Sequence, residues 1–149
     1  MTPSPHSSDP KQGRVLIGFD PGRDKCGIAV VQVEPGFAIL HRQVVAAPEA
    51  LAQLKALWQH FQAEQVILGN QTTAQEWQRQ LQAVIPPEQV ALVDERYSSQ
   101  EARQRYWEFY PPQGWERLLP QGMRVPANAY DDLVALILVE RYCRGRDAG

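Results

Sequence analysis

Cysteine is scarce in this sequence, and no long hydrophobic run is present. The two cysteines, Cys26 and Cys143, lie far apart and outside any Cys/His spacing typical of zinc, so neither a disulfide framework nor structural zinc is expected. No apolar run approaches the roughly 18 residues that a membrane span requires, and the N-terminus lacks the apolar segment of a signal peptide. We therefore expect a cytoplasmic protein without a membrane partner.

Positive charge is not in excess either. Lys and Arg number 15 against 17 Asp and Glu, which gives a formal net charge of −2 at pH 7. Proteins that coat nucleic acid without specificity are usually strongly basic, so any nucleic-acid contact here depends on a local basic patch. A chain of 149 residues with 44% hydrophobic residues suits one globular domain with a real core.

Three apolar segments open the chain after a polar beginning. Residues 1–13 are rich in Pro, Ser and polar residues and are expected to form a disordered tail. The apolar patterns at 14–20, 26–33 and 37–45 predict three strands, with a Pro-Gly turn signal in each gap. Because turns this short leave no room for a crossover, the three strands should pair antiparallel.

The remaining chain alternates helices and strands. Each helix-to-strand crossover predicts that the later strands lie parallel to the first. We therefore expect an α/β fold with a mixed five-stranded sheet, three strands antiparallel and then two parallel, with helices on both faces. The pattern predicts strands at 65–69 and 89–93. It also predicts four helices: one opened by Pro48, one capped by Thr72 or Thr73, one capped by Ser98 or Ser99, and one from Tyr130 after an Asn128 cap.

Two stretches near the end of the chain are less regular. Residues 110–129 are rich in proline and glycine and predict a long loop, which Trp115, Leu118 and Leu119 should pin to the domain. The last helix is expected to end at about Tyr142, with Arg141, Arg144 and Arg146 as a basic tail. The domain is thus predicted over 14–143, followed by a basic flexible tail at 144–149.

Three carboxylates from distant parts of the sequence are expected at one edge of the sheet. Asp20 ends the first strand, Glu95 follows the fifth strand, and Asp131 begins the last helix. The carboxyl ends of parallel strands share an edge, where open α/β sheets bind their ligands. Oxygen ligands suit Mg²⁺ and Mn²⁺, and two such ions about 4 Å apart can clamp a phosphodiester. The three residues therefore predict a nuclease-type metal site, with Asp132 as an alternative ligand to Asp131.

Each of these carboxylates also has a simpler explanation. Aspartate before Pro-Gly is common in turns, so Asp20 can be only a turn former. Glu95 can be a solvated charge paired with Arg96. Asp131 and Asp132 lie in the first turn of a helix, where the helix dipole favours carboxylates in any case.

Three basic residues lie beside the predicted site. Arg23 and Lys25 follow Asp20, and Arg96 follows Glu95. Such side chains can contact the phosphates of a nucleic acid, which makes these three the candidate nucleic-acid-binding residues. Solvated surface charge is an equally good explanation of all three.

Three blocks of the sequence together resemble motifs of the YqgF/RuvX family of Holliday-junction-resolvase-like proteins, within the RNase H-like superfamily. The resemblance spans about residues 14–142. The sequence departs from the family at Gly69-Asn70-Gln71-Thr72, where Gly-Leu-Pro is usual, at Lys25-Cys26, where Arg-Ile is common, and mildly at Ser98-Ser99. Trp115 in the loop before the last helix is also unusual. The blocks are Gly18-Phe19-Asp20-Pro21-Gly22 through Gly27-Ile28-Ala29-Val30, then Asp94-Glu95-Arg96-Tyr97-Ser98-Ser99 with Glu101-Ala102, and Asp131-Asp132-Leu133-Val134-Ala135.

The resemblance implies an RNase H-like fold and a nuclease that depends on Mg²⁺ or Mn²⁺, with Asp20, Glu95 and Asp131 as catalytic metal ligands. It also implies maturation of the 5′ end of the 16S ribosomal RNA precursor, with RNA and the ribosome as partners, or resolution of Holliday junctions in branched DNA. The altered segment after Gly69 supports an alternative, a catalytically inactive RNA-binding factor in ribosome assembly. An ATP-binding relative of actin and the sugar kinases is disfavoured, because the chain is too short for two lobes.

Overall fold

A computed structural model describes the backbone of residues 13–70 and 73–148. Within these ranges five strands form one sheet in the order β3-β2-β1-β4-β5. The predicted disordered tail lies outside the described residues except for Gly13, which is exposed. The strands are β1 (Arg14–Asp20), β2 (Lys25–Glu34), β3 (Ala38–Ala46), β4 (Gln65–Gly69) and β5 (Val90–Val93).

The pairing confirms the predicted mixed sheet. β1, β2 and β3 pair antiparallel through short turns, and β4 lies parallel to β1 on its other side. β5 continues the sheet parallel to β4. β1 is therefore the central strand, and its carboxyl end lies at the same edge as the carboxyl ends of β4 and β5.

Helices cover both faces of the sheet. α1 (Ala50–Phe61) and α2 (Ala74–Leu81) pack on one face, whereas α3 (Ser98–Phe109) and α4 (Asp131–Ala148) pack on the other. Side chains of β1 alternate between the two cores, which explains its continuous apolar sequence. No helix within the described ranges is long and apolar enough to cross a membrane.

Several predicted helix boundaries were wrong. A 3₁₀ turn at Ala47–Glu49 absorbs Pro48, so α1 begins at Ala50. The residue before α3 is Tyr97 in a left-handed conformation with φ of 63°, and Ser98 is buried in the first turn. Asn128 does not cap α4, because α4 begins at Asp131 and the N-cap position is that of Tyr130; the backbone and side-chain N–H groups of Asn128 donate to the Tyr106 hydroxyl at 3.1 Å.

The end of the chain and the long loop also differ from expectation. α4 continues to Ala148, so residues 144–148 are helical backbone instead of a tail after Tyr142. In the loop, Trp115 is 71% exposed and Leu118 is 87% exposed, so neither pins the loop to the domain. The loop is held instead by bonds to α3: Arg103 donates to the Arg124 carbonyl at 3.2 Å, and the Gln121 side-chain amide donates to the Gln104 carbonyl.

Candidate active site

Asp20 lies at the carboxyl end of the central strand, on the face that α4 covers. Successive strand residues point to opposite faces, so Asp20 shares its face with Leu16 and Gly18. Leu16 belongs to the core beneath α4, and a Cβ added at Gly18 would lie 2.8 Å from the Ala135 carbonyl carbon of α4. The absence of a side chain at Gly18 therefore lets α4 lie directly on β1 and approach the Asp20 end of the strand.

Two further glycines flank Asp20 and make room for the other carboxylates. Gly27 pairs with Asp20 across the β1–β2 ladder, and a Cβ added there would lie 2.7 Å from the backbone nitrogen of Asp132. On the other side, Phe19 pairs with Leu68, so Asp20 and Gly69 follow as neighbours. A Cβ added at Gly69 would lie 2.8 Å from the Glu95 carboxyl carbon. Asp20 thus lies between two side-chain-free positions, one beneath the start of α4 and one beneath Glu95.

The electrostatics of Asp20 reflect this arrangement. Burial, together with the negative charges of Asp131 and then Glu95, raises the pKa of Asp20 to about 7. All three causes act in the same direction, because burial and like charges both disfavour the ionised carboxylate. The structure therefore brings Asp20, Glu95 and Asp131 within electrostatic range of one another. A pKa raised this far is frequent at functional sites.

The Asp132 side chain bonds to Arg42 of β3. Its Oδ2 accepts a hydrogen bond from Arg42 of β3 at 2.8 Å, and its Oδ1 accepts one from the Leu133 backbone at 3.0 Å. Burial raises the pKa of Asp132 while the charge of Arg42 opposes that increase. Asp132 does not contribute to the raised pKa of Asp20. Of the two adjacent aspartates, the structure associates Asp131 with Asp20 and commits Asp132 to an ion pair.

Glu95 is held in place by the turn between β5 and α3. The Asn70 N–H donates to the Val93 carbonyl at 2.9 Å, and the Ser98 N–H donates to the Glu95 carbonyl at 3.0 Å. Arg141 of α4 donates to the Asp94 carbonyl at 2.9 Å and to the Glu101 carboxylate at 3.2 Å. Arg141 therefore belongs to this support and not to the basic tail that the sequence predicted.

The candidate nucleic-acid-binding residues are exposed. Arg23 and Lys25 lie in and after the β1–β2 turn, and Arg96 lies beside Glu95 with its backbone N–H donating to Asp94 Oδ1 at 2.9 Å. Their contact with nucleic acid stays a prediction. In the altered segment after β4, Asn70 is exposed, while Gln71 and Thr72 lie outside the described residues.

The donor chemistry of the site fits a hard divalent cation. All three candidate ligands are carboxylates, and a cation beside Asp20 would offset the repulsion that raises its pKa. Among the side chains that the structure describes, however, no three of His, Cys, Asp or Glu form a ready-made metal cage. Mg²⁺ does not require one, because it usually keeps several waters and binds one or two carboxylates together with substrate phosphates. The metal site stays a prediction that the donor set supports.

Sequence reasoning did not find four residues that shape this site. The predicted hairpin placed Gly27 near Asp20, but its role appears only when α4 is seen to lie on it. The contact of Gly69 with Glu95 likewise depends on the β5–α3 turn. Arg42 and Arg141 carry no local motif, because their partners lie 90 and 47 positions away in the sequence.

Comparisons with known proteins agree with this fold. Two solved structures of RuvC from Thermus thermophilus, one in complex with a Holliday junction substrate, match with TM-scores of 0.51 and 0.52. They are 21% and 19% identical in sequence, and each match covers 89% of this chain and 96% of the other. At this identity the likeness shows the fold alone, which confirms the RNase H-like architecture that the resemblance implied.

Among curated proteins, no sequence matches the chain. The sequence profile of the family described as "RuvX: Holliday junction resolvase" matches residues 14–117. That segment contains Asp20 and Glu95 and ends before Asp131. Because the match covers well over half of the 149 residues, the chain belongs to the RuvX family of Holliday junction resolvases.

Proposed function

We propose that this protein is a Mg²⁺- or Mn²⁺-dependent nuclease that hydrolyses phosphodiester bonds in structured nucleic acid. Membership of a resolvase family gives the reaction class. The observation that carries the proposal is the half-buried Asp20 carboxylate at the end of the central strand, whose pKa is raised to about 7 by burial and by the charges of Asp131 and Glu95. Such a concentration of negative charge destabilises the fold on its own, and a bound cation would offset it.

In this proposal Asp20 is the central catalytic residue, with Glu95 and Asp131 completing the ligand set. A divalent ion bound there would lower the pKa of a water molecule and stabilise negative charge at the phosphate. Asp20 must be ionised to serve as a ligand, so a raised pKa makes metal binding stronger as the pH rises. Arg23, Lys25 and Arg96 lie beside the carboxylates in the sequence and would contact the phosphates on either side of the bond to be cleaved.

For the substrate, we propose the 5′ end of the 16S ribosomal RNA precursor, which would make the protein a cytoplasmic factor in ribosome biogenesis. The net charge of −2 supports recognition of a defined structure over non-specific coating. A four-way DNA junction is the alternative substrate, supported by the description of the family and by the Holliday junction bound to the RuvC neighbour.

One observation favours a second function, that of a catalytically inactive RNA-binding factor in ribosome assembly. Asn70 directly follows the glycine beneath Glu95, at the position where the sequence departs from the family pattern. A change so close to a candidate ligand can alter cleavage without disturbing the sheet, because the Asn70 N–H still donates to Val93.

A cleavage assay separates these functions. A 16S precursor RNA and a four-way DNA junction are incubated with the protein, with and without Mn²⁺, and product ends are mapped. The Asp20→Asn variant tests the site, and Asp24→Asn is its matched control, because Asp24 is an exposed aspartate in the following turn. We expect Mn²⁺-dependent cleavage by the wild type and by Asp24→Asn but not by Asp20→Asn. Equal cleavage by wild type and Asp20→Asn would refute the site, and binding without cleavage would favour the assembly factor.

A further inference from the structure

Arg42 joins three elements around the start of α4. Its guanidinium bonds to Asp132 Oδ2 at 2.8 Å and lies over the Phe109 ring at 4.5 Å from the ring centre. Arg42 belongs to β3, Phe109 ends α3, and Asp132 is the second residue of α4. The Asp132 side chain is only 9% exposed. A charge-assisted bond in such a buried setting fixes both partners closely.

This ion pair bears directly on Asp131. Asp131 and Asp132 are consecutive, so anchoring Asp132 limits how far the first turn of α4 can rotate or move. The other side of that turn is already in contact with the sheet, because a Cβ added at Gly27 would lie 2.7 Å from the Asp132 nitrogen. The first turn of α4 is therefore held between Gly27 and the Arg42 bond, with Asp131 next to Asp20.

Arg141, in the second half of α4, holds the backbone at Glu95 in a similar way. It donates to the Asp94 carbonyl at 2.9 Å and to Glu101 at 3.2 Å. The Asp94 carbonyl and the Glu95 N–H belong to one planar peptide unit, so this bond fixes the backbone from which the Glu95 side chain leaves. The bond to Glu101 connects the same guanidinium to the first turn of α3. Arg141 therefore contacts the chain on both sides of Glu95.

A third arginine–carboxylate pair provides a comparison. Arg105 of α3 bonds to Glu140 of α4, and their side chains are 25% and 21% exposed, so this pair is covered to a degree between those of the other two pairs. Neither residue bonds to the first turn of α4 or to the turn that carries Glu95. If these ion pairs only stabilise the fold, then loss of Arg105 should resemble loss of Arg42 or Arg141.

We propose that Arg42 and Arg141 are positioning residues for the reaction, holding Asp131 and Glu95 at working distance from Asp20. The inference rests on the proposed nuclease function. The three carboxylates would act at the reacting phosphate. The two arginines would act indirectly, by holding the backbone segments that carry Asp131 and Glu95. Supporting residues of this kind change metal affinity or activity by about 10- to 100-fold when removed.

The test compares three variants that leave no buried charge without a partner. Arg42→Met with Asp132→Asn removes the first pair, Arg141→Met removes the second support, and Arg105→Met with Glu140→Gln is the matched control. On the substrate that the wild type cleaves, we expect the first two to lower kcat by about 10- to 100-fold with KM unchanged. The Mn²⁺ concentration for half-maximal rate should rise in both, while the control keeps wild-type values.

Conservative replacement and amide exchange complete the test. Arg42→Lys, which keeps a positive charge opposite Asp132, should retain part of the kcat that the Arg42→Met/Asp132→Asn variant loses. Hydrogen exchange should quicken locally, over 131–134 in the Arg42→Met/Asp132→Asn variant and over 94–98 in Arg141→Met. Unchanged kcat in both folded variants, or an equal loss in the control, would overturn the inference.

The same experiment separates failure of the inference from failure of the proposed function. If the wild type cleaves nothing with Mn²⁺, the proposed nuclease function is wrong. Amide exchange then decides the positioning role on its own. Local quickening at 131–134 and 94–98, absent from the control, would support it, whereas exchange that is unchanged or spread over the whole domain would overturn it.

Discussion

Replacement of Asp20 by asparagine should stabilise the metal-free protein at pH 8. The pKa of Asp20 is raised to about 7 because burial and the charges of Asp131 and Glu95 disfavour its ionised form. Above that pH the folded wild-type protein contains an ionised Asp20 carboxylate in surroundings that disfavour its negative charge. Asparagine has nearly the same shape and no charge, so the free-energy cost of the ionised carboxylate in the folded protein disappears.

The sign and size follow from proton linkage. At low pH the carboxyl is protonated in both the folded and the unfolded chain, so it has no effect on stability. Between its ordinary pKa of 3.8 and about 7, the folded chain keeps a proton that the unfolded chain has lost, so the contribution of Asp20 to stability falls as the pH rises. Each pKa unit corresponds to about 1.4 kcal/mol, so the full penalty above pH 7 is on the order of 4 kcal/mol.

Urea unfolding at pH 4, 6 and 8 without divalent metal measures this directly. The free energy of unfolding of Asp20→Asn minus that of the wild type should be small at pH 4, larger at pH 6 and close to its full value at pH 8. Asp24→Asn, which changes an exposed carboxylate, should show no such growth. A difference that stays constant with pH, or an Asp20→Asn variant less stable than the wild type at pH 8, would refute the reasoning.

Three further predictions test the packing and the site. Gly27→Ala should lower the free energy of unfolding by about 3 kcal/mol, because the added methyl group meets the backbone of α4. Gly36→Ala is the control, because a methyl group there meets nothing within 4 Å, and chemical denaturation compares the two variants. Mn²⁺ at about 100 times its dissociation constant should stabilise the wild type by about 2.7 kcal/mol at pH 8, and a thermal scan should show no such gain in Asp20→Asn. Trp115→Ala should change stability by less than about 0.5 kcal/mol in urea unfolding, because Trp115 is 71% exposed.

The sheet could be predicted from the sequence because its signals are local. The bounds of β1 and β4 were predicted correctly, since apolar runs and turn residues mark both ends. The parallel pairing followed from the helical crossovers. Helix starts were less predictable, because Tyr97 precedes α3 with a positive φ where a capping serine was expected, and Asn128 bonds to a tyrosine from another helix.

Only the residues of the candidate site that lie at strand ends could be placed from the sequence. Asp20 and Glu95 were expected at one edge because each follows a strand of known direction. The contacts that hold them depend on how α4 lies on the sheet, which no local pattern encodes. The bonds of Arg42 and Arg141 connect residues that are distant in sequence, and the sequence assigned Arg141 to a basic tail.

The two adjacent aspartates at the start of α4 show why a local pattern leaves such a site undecided. Both suit the first turn of a helix, and both were candidate ligands. Consecutive helix residues point about 100° apart, so one side chain can face Asp20 while the next faces β3. Arg42 lies on β3 and neutralises Asp132, whereas the charge of Asp131 is felt by Asp20. The position of a single arginine on a neighbouring strand thus distinguishes two residues between which the sequence favoured Asp131 but kept Asp132 as an alternative.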